Sequence, residues 1–427
     1  MNEKKDILDT FAKYINPQKI RVLHSAGLDI LETQRQGVWV TDVDGRRFLD
    51  CFTSAGSFNI GRRHPKIIEA LRYGADHFDH GNFLLASEQK ALLAQELALV
   101  TPGDLNCFMY GTGGGEAVDF AIKLARGTTG RKKIVSMRLG YHGHTGFALS
   151  AAGRSVYRDP FEPLMPGFEI ITFGDFKEAE RVIDDQTAGV IVEPIQGEGG
   201  IVVPPADYLK ALRELCTKTK ALLIIDEIQT GLGRTGKWFA QEHFGVVGDI
   251  MCIAKSLGGS VVSISVTAFN EELREFLIPN PFIHLSTFGG SDLACYVARN
   301  VLKIIKEENL IEHSEKMGKL LQQGLLDLKA KFPDEIQEVR GINLMAGLKF
   351  SDDSFGPRMS YNLANHGVLA IYTGNEPSVM RIMPPIVITK EEVEFLINAF
   401  ELALTDLKHN KGPQDEPIKT RRRPIRK

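Results

Sequence analysis

The sequence predicts an α/β fold with a mainly parallel sheet, helices on both its faces, and a smaller α+β lobe built from both chain ends. Three observations predict it. Short runs rich in Ile and Val alternate with helix-period segments through the middle of the chain, the pattern of strands joined by crossover helices. The two flanks read differently, as a hairpin at one end and long amphipathic helices at the other. At 427 residues the chain is too long for one small core and suggests a large and a small lobe.

At the N-terminal flank, Gly37-Val-Trp-Val-Thr-Asp-Val-Asp-Gly-Arg-Arg-Phe-Leu49 reads as a strand, an Asp-Gly turn and a second strand. In the centre, residues 106–110, 133–136, 189–193, 222–225 and 262–266 read as strands. Between them, 116–126 and 208–219 carry apolar residues at helical spacing. After about Asn309 come two amphipathic helices, around 316–331 and 390–408, with strand-like runs at 344–350 and 379–383 between them. The expected division is therefore a small lobe from 1–65 and 309–408, a large lobe from 66–308, and a basic tail at 409–427.

Composition narrows the function classes. Hydrophobic residues at 43% and charged residues at 25% are ordinary for a folded protein, and a net charge of -3 argues against a binder of phosphate backbones. The tail ending Arg421-Arg-Arg-Pro-Ile-Arg-Lys427 is basic but lacks aromatic residues for base stacking, so it reads as solvated. Five scattered cysteines without a CxxC pair indicate neither a disulfide framework nor a metal site. No apolar run reaches membrane-spanning length and no apolar signal follows the N-terminus, so a cytoplasmic, reducing setting is expected.

Two charged residues stand at the ends of apolar runs, where ligands of such sheets bind. Lys255 closes Asp249-Ile-Met-Cys-Ile-Ala-Lys255, and Asp226 closes Ala221-Leu-Leu-Ile-Ile-Asp226. A desolvated lysine has a lowered pKa and a nucleophilic amine, the state that captures carbonyls as Schiff bases. Tyr110-Gly-Thr-Gly-Gly-Gly-Glu-Ala117 leaves a strand and opens a helix, presenting backbone N–H groups suited to a phosphate. It is a poor dinucleotide fingerprint, because Glu116 stands where the third glycine belongs. Gly231-Leu-Gly-Arg-Thr-Gly-Lys237 imitates a P-loop, but Trp238 replaces the magnesium-binding hydroxyl and the loop follows the acidic strand. His142 and His144 lack further ligands nearby and read as supporting residues, whereas Tyr141 offers a ring that can stack on a flat cofactor. A carboxylate, a Schiff-base lysine, a phosphate-binding helix start and an aromatic plate together describe a pyridoxal phosphate site.

The chain resembles the class III aminotransferases of the fold type I pyridoxal phosphate enzymes, from about Gly37 to Glu401. The likeness rests on Leu222-Leu-Ile-Ile-Asp-Glu-Ile-Gln-Thr-Gly-Leu-Gly-Arg-Thr-Gly-Lys-Trp238 followed by Ala254-Lys255. Val192-Glu-Pro-Ile-Gln-Gly-Glu-Gly-Gly200, Ser286-Thr-Phe-Gly-Gly290 and Arg381-Ile-Met-Pro-Pro385 support it. The resemblance implies that Lys255 holds the cofactor as a Schiff base and that Asp226 pairs with its pyridine nitrogen. It further implies that Gln229 bonds the ring hydroxyl, Tyr141 stacks on the ring, and the amides of Gly114 and Gly115 hold the phosphate. Thr287 would reach that phosphate from the neighbouring subunit of a homodimer. Arg381 would bind a substrate α-carboxylate, with Glu198 masking it for other substrates.

The chain also departs from its relatives. Gly115 stands where they carry a hydroxyl residue, and His144 where several carry an Arg for the distal carboxylate of 2-oxoglutarate. Tyr141-His-Gly-His144 is similar instead to an aminomutase, while Gln229 is aminotransferase-like. The stretches Ser260-Val-Val and Ser291-Asp292 lack the usual Pro. The expected reaction is transfer of an amino group from an amine or amino acid to a 2-oxo acid. Isomerisation, racemisation or elimination on the same scaffold is the alternative. A non-catalytic regulator fits poorly with intact Lys255, Asp226 and Gln229.

Overall fold

A computed structural model of the chain describes residues 3–82 and 84–409. Residues 410–427, nearly all of the expected basic tail, lie outside the described residues. The predicted hairpin forms from β2 (Trp39–Asp42) and β3 (Arg47–Asp50), with β1 (Glu32–Gln36) added antiparallel to β2. Asp42 closes the turn by accepting from the amides of Asp44 and Arg46, both at 2.9 Å, while Gly45 takes φ +80.

The central sheet contains β4 (Cys107–Gly111), β5 (Lys133–Met137), β6 (Phe168–Ile171), β7 (Thr187–Val192), β8 (Leu222–Asp226), β9 (Ile250–Ile253) and β10 (Ser265–Phe269). Their spatial order is β4-β10-β9-β8-β7-β5-β6, and β6, β5, β7, β8 and β9 pair in parallel. β10 runs antiparallel to both of its neighbours, β4 and β9. It begins three residues later than 262–266, because the chain is still turning there. Ser260 has φ +66, and the amides of Val261 and Val262 both donate to the Gly258 carbonyl.

Side-chain parity across this sheet decides which way the site residues point. Leu223 and Ile225 pack with Val190, Val192 and Leu212 on one face. Ile224 packs on the other face with Val118, Ala121 and Ile122 of the helix Gly114–Thr129. Asp226 shares the parity of Ile224, so it projects on the same side as that helix. The opposite face carries the helix Tyr208–Thr219, formed over the predicted span because Leu209, Leu212, Leu215 and Cys216 make one buried stripe.

The C-terminal part adds β11 (Ile336–Ile342), β12 (Met345–Phe350), β13 (Val368–Leu369), β14 (Ile371–Tyr372) and β15 (Val379–Ile382). Four of these form an antiparallel sheet in the order β11-β12-β15-β14. β13 pairs in parallel with β3, bringing the two ends of the chain into one sheet. Helices Leu310–Lys331 and Lys390–Lys408 pack together beside these strands, burying Leu321, Leu325, Leu328, Leu396, Phe400 and Leu404. No described helix is long and apolar enough to cross a membrane, and no described cluster of His, Cys, Asp and Glu suits a metal ion.

Candidate active site

The end of β8 and the turn just after β9 deliver Asp226 and Lys255 to one cavity of about 200 Å³ at the carboxyl end of the sheet. Its walls include Asp226, Gln229, Lys255, Tyr141, Glu198 and the glycines Gly114 and Gly115. A larger groove of about 700 Å³ between Trp238 and Tyr296 gathers none of these residues. Chemistry therefore distinguishes the smaller cavity.

Lys255 follows β9 and opens the short turn Lys255–Gly258 with φ +47, a conformation costly for a side-chain-bearing residue. Its surface is only partly covered, yet burial pushes its amine below the ordinary lysine pKa. Asp226, Glu198 and Glu193 pull the other way without overcoming burial. The uncovered surface and the low pKa agree if the amine opens onto the cavity and not onto bulk water.

Asp226 is 3% exposed and held from two sides. Oδ1 accepts from the Ile228 amide at 3.0 Å, and Oδ2 lies 2.7 Å from Nδ1 of buried His142. A carboxylate can only accept, so Nδ1 carries the proton. Burial opposes the charged imidazole, but the hydrogen bond and charge of Asp226 raise its pKa above the ordinary histidine value. Beside the pair, burial and the nearby Asp226 charge push Glu193 up to about 7. Its two oxygens accept from the Tyr141 amide at 2.9 Å and the Gly197 amide at 3.0 Å. Glu193 thereby ties the segment carrying the Tyr141 ring to the turn at Gly197.

Gln229 donates from Nε2 to the Ala55 carbonyl at 2.9 Å, while its buried Oε1 has no partner. Gly197 makes room for that oxygen: a Cβ there would lie 1.6 Å from it. Thr53, Ser54 and Ala55 all take positive φ, which brings the Ala55 carbonyl over Gln229. Helix Gly114–Thr129 starts without a side-chain cap, leaving first-turn amides available to an anion. Glu116 does not obstruct them, because its carboxylate turns back to accept from the Thr112 amide at 2.6 Å and hydroxyl at 2.8 Å.

Arg381, on β15 and 3% exposed, forms an ion pair with Glu198 through Nη1, and its buried Nε has no partner. The Glu198 carboxyl is buried, yet the Arg381 charge and the Gly374 amide hold it below the usual carboxylate range. His144 is exposed and meets Tyr141 edge-on at 5.3 Å and Tyr157 at 5.2 Å between ring centroids. Thr287 is exposed and is not among the residues lining the cavity.

The structure thus gathers Lys255, Asp226, Gln229, Tyr141, Gly114, Gly115 and Glu198 around one cavity, with Arg381 tied to Glu198. Sequence reasoning gave no role to Glu193 and left His142 without a partner. Glu193 had one available signal, a carboxylate ending an all-apolar strand, as Asp226 does.

A family-wide description, aminotransferase class-III, matches residues 24–404. A curated but uncharacterised aminotransferase of Archaeoglobus fulgidus is 46% identical over 404 residues, covering 94% of this chain and 95% of that protein. Among solved structures, an ornithine aminotransferase from Toxoplasma gondii superposes with a TM-score of 0.88 at 30% identity, covering 96% of this chain and 97% of the other. An (S)-enantioselective omega-transaminase from Thermomicrobium roseum gives 0.83 at 33% identity, with 88% and 93% covered.

Proposed function

The chain belongs to the class III aminotransferase family and is a pyridoxal phosphate-dependent aminotransferase, and from that premise we propose how its own residues divide the work. The cavity residues suit the cofactor. An uncapped helix start serves a phosphate, a carboxylate backed by His142 serves a protonated ring nitrogen, and the unpartnered Gln229 Oε1 serves a ring hydroxyl. When bound, pyridoxal phosphate supplies a carbonyl that condenses with amines and a ring that accepts the electron pair left by proton removal.

Lys255 would hold the cofactor through Nζ until a donor amine displaces it. The freed amine, its pKa lowered by burial, would then carry the proton from the donor α-carbon to the cofactor's carbonyl-derived carbon, and in the second half-reaction from there to the α-carbon of the acceptor. Asp226 would keep the ring nitrogen protonated, Tyr141 would stack on the ring, and the amides of Gly114 and Gly115 would hold the phosphate. In this reading 66–308 is the lobe that holds the cofactor, and 1–65 with 309–408 is the smaller lobe that brings Arg381. Thr287 serves the phosphate of a second copy, so the working unit is a homodimer. A cytoplasmic setting suits five free, buried cysteines.

We assign the substrates as an amine or amino acid donor and a 2-oxo acid acceptor. The observation that carries this is Arg381, paired with Glu198 at the cavity wall while its Nε stays unpartnered. A guanidinium with a spare donor grips a carboxylate, and Glu198 covers it when a donor lacks one. His144 is no substitute for a second arginine, because an imidazole lacks the planar fork of donors with which a guanidinium grips a carboxylate.

Kinetics across a panel of amines and amino acids, each with pyruvate and 2-oxoglutarate, test the assignment. Arg381→Ala should cost carboxylate-bearing substrates about 1.5–3 kcal/mol in kcat/KM relative to simple amines. Equal losses for both classes would remove Arg381 from carboxylate binding. A strong 2-oxoglutarate preference that survives His144→Ala would show a distal cation elsewhere.

A further inference from the structure

Glu198 does not rest on Arg381 alone. Its Oε2 accepts from the Gly374 amide at 2.9 Å, and its backbone carbonyl accepts from the Asn375 amide at 3.0 Å. Both amides belong to the loop between β14 and β15, the strand that carries Arg381. The loop is braced internally, by the Thr373 amide on the Val379 carbonyl at 2.9 Å and the Thr373 hydroxyl on the Glu376 carbonyl at 2.7 Å. It is also fastened across the cleft. Arg154 Nη1 donates to the Gly374 carbonyl at 2.6 Å, and Asn375 Nδ2 donates to the Leu139 carbonyl at 2.8 Å.

We propose that the 373–376 loop, fastened by Arg154, is a latch that holds Glu198 over Arg381 and so sets how readily this enzyme accepts carboxylate-bearing substrates over simple amines. The proposal rests on Arg381 and Glu198 acting as the carboxylate gate. To clear Arg381, Glu198 must give up the guanidinium on one oxygen and the Gly374 amide on the other. The second contact is absent from a gate built only of the ion pair. Where the competent state is a minor fraction, apparent affinity falls by that fraction. The latch therefore weakens binding of 2-oxo acids and α-amino acids, while donors without a carboxylate use the masked state directly. Gly374 and Arg154 are positioning residues that act through Glu198.

Steric space at Gly374 gives a direct test. A Cβ there would lie 3.0 Å from Glu198 Oε2 and 3.4 Å from the Tyr157 hydroxyl, so Gly374→Ala crowds the carboxylate and loosens its hold on the amide. Arg154→Met removes the fastening from the other side and serves if the first variant folds poorly. In the full-chain holoenzyme, single-turnover and steady-state kinetics are measured with an α-amino acid, a 2-oxo acid and an amine lacking a carboxylate. Both variants should lower KM for the two acids about three- to tenfold relative to the amine, through a larger open fraction and with little change in kcat. Glu198→Gln should shift the same ratio further, because it removes the mask itself. A shift in Glu198→Gln with ratios within about twofold of wild type in both latch variants overturns the latch and leaves the gate standing. An unchanged ratio in Glu198→Gln overturns the gate, and the latch with it.

Discussion

Asp226 and Lys255 show how much one buried charge reveals. Each ends an apolar strand, and burying a charge is costly enough that a sequence rarely places one there without use. Their meeting at one cavity was therefore foreshadowed by the run of neighbours. His142 was not: it lies 84 residues from Asp226, and only the fold brings Nδ1 within 2.7 Å of Oδ2. Asp226→Asn removes a preorganised negative charge from the cavity and should reduce turnover by about two to three powers of ten. Near-normal activity would place the partner of the ring nitrogen elsewhere. His142→Phe leaves the carboxylate but removes its orienting donor, and its signature is in stability. Asp226 raises the His142 pKa in the folded state, so the pair contributes fully below the ordinary histidine value of about 6.5. That contribution is lost as pH rises through the raised folded value. Melting temperatures of both proteins from acid to alkaline pH should therefore converge as pH rises. A gap that widens instead would mean that His142 is neutral in the folded protein.

The elements were legible where burial was complete. β5, β7 and β8 lie close to the predicted runs, because strands covered on both faces are dominated by apolar residues. β1, Glu-Thr-Gln-Arg-Gln, is almost wholly exposed and owes its place to pairing with β2, which periodicity does not record. β6 is an edge strand with Glu169 exposed, and its short apolar pattern gives little signal. The start of helix Gly114–Thr129 holds a subtler lesson. The resemblance implies a hydroxyl residue at Gly115, but the space is not vacant: a Cβ there would lie 2.8 Å from Thr145 Oγ1 and 3.4 Å from its Cγ2. Restoring the hydroxyl as Gly115→Ser should therefore fail to tighten cofactor binding, because the new side chain meets Thr145. Adding Thr145→Ala should recover the affinity, a coupling expected between side chains in contact. Equilibrium dialysis of pyridoxal phosphate against the two single variants and the double variant measures it. Additive effects would mean that the two side chains do not compete for the space.

For the whole molecule, the decisive feature is an apolar patch that one chain leaves uncovered. Phe282, Leu285 and Phe288 are 63%, 51% and 49% exposed on the segment that carries Thr287. The His80 ring stacks on Phe288 with centroids 5.1 Å apart, and Leu84 and Leu85, close to it in sequence, are also exposed. Several large apolar side chains exposed on one segment are a feature of association sites. Thr287 within it is exposed and is not among the residues lining the cavity. A symmetric pair covering this patch would use the same residues on both copies and give each active site a threonine from the other. Sedimentation should show a dimer at working concentrations. Phe282→Glu places a charge in the patch and should shift the species toward monomer. If Thr287 completes the phosphate site of the other copy, the monomer should also release pyridoxal phosphate on gel filtration, while Thr287→Ala weakens retention without dissociating the dimer. A monomer that keeps both its cofactor and its turnover would show that the site is complete within one chain.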